Sequence, residues 1–137
     1  MNNLFLDTNV VLDLLGERLP FYKHAAQIAT LSDQSEIKIT VSALSYPTVF
    51  FILSKYEKKG LVKDKMKKFK VLAQTADLSD QIIEKALLSP FQDFEDALQY
   101  HCALKVNCNI LITLNEKGFK HASLPALTPA EYLHSRR

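Results

Sequence analysis

The chain has 137 residues, of which 47% are hydrophobic and 23% charged, with a formal net charge of +2. That length predicts one domain, spanning residues 1–137, with room for a sizeable core, and the balance is that of an ordinary globular protein. No apolar run approaches the ~18 residues of a membrane span, no basic-then-apolar leader opens the chain, and three glycines leave no Gly-rich phosphate cradle, so a cytoplasmic protein without a membrane partner or a nucleotide loop is expected.

Leu4-Phe5-Leu6 reads as a first strand ending on Asp7-Thr8-Asn9, and Val10 to Leu15 as a helix. Pro20 breaks the chain before a helix from about Phe21 to Leu31, and Ile37 to Val41 alternates with period two as a strand. Ser45 is a candidate cap for a helix with Pro47 in its first turn, which Gly60 is expected to end. A basic amphipathic helix follows, then a strand near Val71-Leu72-Ala73, a helix from Gln81 to Leu88 and a Pro90 break. The helix from about Phe94 to Val106 leads into the apolar strand Asn109 to Thr113, and a short strand at Ala126-Leu127 precedes a helix opened by Thr128-Pro129. Strands separated by helices predict an α/β domain whose central, mostly parallel sheet is covered on both faces. Cys102 and Cys108 are too few for a disulfide framework and are expected to be reduced and buried.

Charge is unevenly placed. From Lys55 to Lys70 eight lysines face two acids, a net +6, while the remainder carries nine basic and thirteen acidic residues, a net −4. Two readings stand: Lys65, Lys67 and Lys68 grip nucleic-acid phosphates, or the lysines solvate the outer faces of helices.

The acids carry the chemistry. Asp7 ends a strand, where open α/β sheets form their ligand crevice. Asp93 and Asp96 open a later helix three residues apart, on one side of it, whereas Glu95 is expected to face solvent. Converging carboxylates repel until a divalent ion neutralises them, and Mg²⁺ or Mn²⁺ suits oxygen ligands. For Asp93 the alternative is helix capping. Asp13 is expected to anchor a loop, and the four histidines, which share no spacing, are read as structural.

Phe5-Leu6-Asp7-Thr8-Asn9-Val10, Asp93-Phe94-Glu95-Asp96-Ala97-Leu98-Gln99, Ile112-Thr113-Leu114-Asn115 and Leu127-Thr128-Pro129, in this order and spacing, resemble the PIN-domain family. These are small α/β metal-dependent nucleases, many of them the toxin half of toxin–antitoxin pairs (the VapC-like group). The resemblance implies a ribonuclease using Mg²⁺ or Mn²⁺, with Asp7 and Asp96 catalytic and Asp7, Asp93, Asp96 and Asn115 around the ion. It implies that Thr8, Asn9 and Thr113 orient that shell, and that RNA, a cognate antitoxin and a second copy of the chain are partners. Three positions depart from the family pattern: Thr48 replaces a glutamate, Asn115 replaces a fourth acid, and Gly118-Phe119 stands where an Asp-Phe pair is common. The departures imply a diminished acidic site and keep a second reading open, a catalytically impaired fold that binds RNA or protein. A haloacid-dehalogenase-like or receiver-type site fits poorly, because Asn9 and Thr40-Val41-Ser42 occupy the positions where further acids would be needed.

Overall fold

A computed structural model describes residues 1–136. Five strands, β1 (Asn3–Leu6), β2 (Lys38–Ser42), β3 (Ala73–Ala76), β4 (Ile110–Ile112) and β5 (Ala126–Leu127), form one sheet in the order β3-β2-β1-β4-β5. Every pairing is parallel, with Phe5 opposite Thr40 on one side and Leu111 on the other. The helices are α1 (Thr8–Leu15), α2 (Tyr22–Asp33), α3 (Ser45–Leu53), α4 (Lys59–Leu72), α5 (Asp80–Leu87), α6 (Phe94–Lys105) and α7 (Pro129–Ser135), with a 3-10 turn at Glu116–Phe119.

Alternation along the strands sorts the core into two layers. Leu4, Leu6, Ile39, Val41 and Ile112 face α1 to α4 and α7, packing with Val11, Ile28, Val49, Phe69 and Tyr132. Phe5 and Leu111 face the opposite way, onto Ile82 of α5 and Ala97, Cys102 and Ala103 of α6. The helices between β1 and β3 thus lie on one face, and those between β3 and β4 on the other. Right-handed crossovers demand this when the winding direction reverses. The reversal falls between β1 and β4, and a crevice opens at the carboxyl ends of those two strands.

Three local expectations are corrected. Leu44, not Ser45, is the N-cap of α3, and it makes no side-chain capping bond; the Ser45 hydroxyl instead lies 2.8 Å from that of Thr8. Gly60 does not end α3, which stops at Leu53; it sits in the first turn of α4. Val71 and Leu72 belong to α4, and β3 starts at Ala73. The apolar series Val62, Met66, Phe69, Leu72 keeps helical spacing against the core, which carries the helix two residues further. Cys102 and Cys108 are buried and unpaired, as expected, and burial pushes the Cys108 thiol up to about 11, far from a reactive thiolate. Among the described residues no helix is long and apolar enough to cross a membrane.

Candidate active site

Asp7 is both the residue after β1 and the N-cap of α1. An aspartate in that position ordinarily spends its carboxylate on the first free amides of the helix. Here it makes no side-chain capping bond; its carbonyl accepts from the amides of Val10 and Val11 instead. The carboxylate, 6% exposed, turns into the crevice. Gln99 Nε2 donates to its Oδ1 at 2.8 Å, and Thr113 Oγ1 donates to its Oδ2 at 2.7 Å. Each bond takes one lone pair and leaves the other on that oxygen available.

The two donors are themselves held. Gln99 is 1% exposed, and its Oε1 accepts from the Thr8 amide at 3.2 Å. Thr113, at the end of β4, accepts from the Asn115 amide at 2.9 Å. The strand ends of β1 and β4, the first turn of α1 and the middle of α6 therefore converge on one carboxylate.

Asp96 lies one turn before Gln99 on α6 and is 8% exposed. Its Oδ2 is buried without a hydrogen-bond partner. Burial, followed by the charges of Asp7, Asp93 and Glu95, pushes its carboxyl up to about 7. Glu95 is exposed, as expected, yet its carboxyl is also raised, by partial burial and then by Asp7 and Asp93, with the Thr8 hydroxyl acting in the opposite direction. The charges of Asp7, Asp93 and Glu95 are thus all felt at Asp96. Asp93, Asp96 and Asn115 line a cleft of about 450 Å³ together with Lys117, Lys120 and His121.

A family model of the PIN domain matches residues 3–117. The chain belongs to the PIN-domain family. Among curated proteins, this PIN domain is 28% identical over 134 residues to ribonuclease VapC1 of Aquifex aeolicus (strain VF5), covering 94% of this chain and 92% of that one. Its fold is shared with VapBC2 from Rickettsia felis, solved with a DNA fragment from its promoter, at a TM-score of 0.65 and 19% identity over 91% of this chain and 96% of that one. FitAcB from Neisseria gonorrhoeae is similar at a TM-score of 0.68 and 15% identity, over 93% and 98% of the two chains.

Of the residues singled out from the sequence of this PIN domain, the fold brings Asp7, Asp96, Asp93, Thr113 and Asn115 to one edge. Asp93 caps α6, its Oδ1 accepting from the Asp96 amide at 2.9 Å, so the capping role is realised while its side chain also borders the cleft. Thr8 acts through its amide and through Ser45 rather than on Asp7 itself. Asn9 is exposed, and the side chains that donate to Asp7 are Gln99 and Thr113. Thr48 returns its hydroxyl to the Leu44 carbonyl of its own helix, one turn beyond Ser45. Asp13 is fully buried and pairs with Arg18 at 3.0 Å, anchoring the loop after α1 as expected.

Lys65 is engaged within the fold. Its ammonium is held by Glu57 Oε1 at 2.6 Å and by the Leu15 carbonyl at 3.0 Å, tying α4 to the end of α1. A cation spent on an internal tie is not available to a phosphate. Lys67 and Lys68 are exposed on α4, in the layer formed with α1 and α2 on the face of the sheet opposite α6.

Sequence reasoning missed Gln99, Lys117 and Lys120. Gln99 stands three residues after Asp96, a helical spacing that puts an amide on the same side as the acid. It also missed what Gly118 does. A Cβ built there would collide with Asp96 Oδ2 and lie 2.6 Å from Asn115 Nδ2. The 3-10 turn therefore lies against the acidic site, and a side chain at 118 would have to displace the ends of the Asp96 and Asn115 side chains. Gly118→Ala is expected to lose about 1–3 kcal/mol through overpacking, whereas Gly60→Ala, with nothing within 4 Å of the new atom, is expected to be neutral or stabilising by up to ~1 kcal/mol. Urea unfolding of the two variants checks the contrast.

Proposed function

We propose that this PIN domain is a ribonuclease that cleaves RNA phosphodiesters with a divalent ion, Mg²⁺ or Mn²⁺, and that it acts as the toxin of a toxin–antitoxin pair. The observation that carries the reading is the Asp7–Asp96 pair: a carboxylate fixed by two donors beside a second one whose buried oxygen has no partner. Such an arrangement is costly without a cation and favourable with one. The donor set fits the ion. Among the described residues no group of three or more His, Cys, Asp or Glu is placed to hold a metal ion, so the chain would offer at most a pair of carboxylates. Mg²⁺ takes one or two carboxylates and keeps several waters, as an open cleft permits.

Asp7 and Asp96 would hold the ion, with Asn115 and Asp93 at its margin. When bound, the ion supplies positive charge that polarises water and the scissile phosphodiester. The chain supplies position. Gln99 and Thr113 fix the Asp7 carboxylate in rotation, and the Thr8 amide fixes Gln99 in turn. Asn115 brings a neutral side chain to the position where a fourth acid would add charge. The similarity to ribonuclease VapC1, and folds shared with proteins solved as VapBC and FitAB assemblies, support the RNA substrate and the antitoxin partner. A second copy of the chain is the other expected partner.

The test is cleavage of a labelled single-stranded RNA by the purified chain in EDTA, Mg²⁺ and Mn²⁺, with thermal unfolding of the same samples. Cleavage only with a divalent ion is expected, together with a rise in stability approaching about 2.7 kcal/mol at 100 times the dissociation constant. Thr48→Glu with Asn115→Asp is expected to tighten ion binding and lower stability in EDTA, because each added carboxylate strengthens attraction to the ion and repulsion without it. RNA bound but left intact in every ion would select the binding-module reading instead.

A further inference from the structure

The cleft that Asp96 lines also carries residues of the opposite charge. Lys117 lies in the 3-10 turn and Lys120 caps its end. Three residues per turn place positions 117 and 120 on the same side, and both border the cleft that Asp93, Asp96 and Asn115 line. The turn is anchored from behind. Phe119 is buried against the α6 layer, Gly118 lets the backbone close on Asp96, and His121 sits against Phe91, which stacks on Tyr100 at 5.1 Å. No ion pair among the described residues uses Lys117 or Lys120. The lysine-rich α4 is placed differently: Lys65 is internally tied, Lys63 lies over the Phe50 ring, and the helix, with its exposed Lys67 and Lys68, packs on the opposite face of the sheet from α6.

We propose that Lys117 and Lys120, with His121 lining the same cleft, are the phosphate grip that seats an RNA strand in the cleft beside Asp96, and that α4 is not. The inference rests on the ribonuclease reading for the identity of the strand. Its physical basis is separate. A polyanion cannot approach converging carboxylates without local positive charge, and these are the lysines that line the same cleft as Asp93 and Asp96. They are positioning residues: they act on phosphates of the strand and do not touch the reacting atoms.

The experiment compares Lys117→Gln/Lys120→Gln with Lys67→Gln/Lys68→Gln, two pairs that remove the same charge. Affinity for a fluorescein-labelled single-stranded RNA of mixed sequence is read by anisotropy across KCl concentrations in Mg²⁺, and the same samples are run on gels for cleavage. Loss of the cleft pair is expected to weaken binding about 10-fold and to flatten the log–log salt slope by about 1.4, roughly 0.7 per contact on a single strand. It is also expected to raise KM more than it lowers kcat, and to leave Mg²⁺-induced thermal stabilisation in place. The α4 pair is expected to leave the slope unchanged. Equal flattening by both pairs, no flattening by the cleft pair, or a parent chain without salt-dependent RNA affinity would each overturn the grip. A chain that binds RNA with the expected slope and cleaves none overturns the ribonuclease reading and leaves the grip standing.

Discussion

Asp7→Asn is expected to reduce RNA cleavage at least about 100-fold, equivalent to about 2.7 kcal/mol of transition-state stabilisation, while the fold survives. The substituted amide fits the existing bonds. Its oxygen accepts from Gln99 Nε2 as Oδ1 does now, and its NH₂ donates to Thr113 Oγ1, which takes the place of the present bond in the opposite sense. What is lost is the charge that attracts a divalent ion, and with it part of the repulsion felt by Asp96. Ion-induced stabilisation should therefore shrink with activity, and stability in EDTA should hold or rise. Thr113→Val supplies the contrast. It removes the donor to Asp7 and the acceptor for the Asn115 amide together, so about 1–3 kcal/mol of stability goes, with a 10–100-fold loss in metal affinity or activity typical of groups behind a ligand. An Asp7→Asn protein that cleaves within threefold of the parent would remove Asp7 from the centre of the site.

Stability in EDTA is expected to fall as pH rises from about 4 to about 7, and Asp96→Asn is expected to flatten that fall. In the folded chain the Asp96 carboxyl is raised from 3.8 to about 7, by burial first and then by Asp7, Asp93 and Glu95. Between those values the folded state holds a proton that the unfolded state has released, so stability decreases with pH. Below about 4 both states are protonated and the penalty is absent; above about 7 it is fully present, on the order of 2–4 kcal/mol. Glu95, raised in the same direction, adds to the slope. Saturating Mg²⁺ or Mn²⁺ should oppose the trend, because the ion binds the ionised pair most tightly where repulsion is greatest. Urea unfolding at pH 5 and pH 8, with and without the ion, reads all four corners. A parent and an Asp96→Asn variant with parallel pH profiles would mean that Asp96 carries no such penalty.

Much of this was written locally in the chain. The strand-to-acid step at Leu6-Asp7, the Thr128 helix start and the apolar run Ile110–Ile112 are short-range patterns, and they form the elements expected of them. The choice of Asp7 and Asp96 rested on the order and spacing of the motifs that resemble the PIN-domain family, because an acid at a helix start also has an ordinary capping use. Boundaries that depended on packing were less legible. Gly60 reads as a stop but is absorbed into α4, because Val62 and Phe69 bury one side of that helix against the core.

Only the tertiary structure decided which polar groups serve the acids and which cations share their cleft. Gln99, 92 residues from Asp7, and Thr113, 106 residues away, become its donors because the winding reversal brings the ends of β1 and β4 together beneath α6. The same geometry brings Lys117, in the 3-10 turn, and Lys120, at its end, to the cleft that Asp96 lines. Sequence patterns report the period and polarity of single elements. Which side chains meet across a parallel sheet depends on strand order and crossover hand, and these are settled only when two hydrophobic layers close on the sheet together.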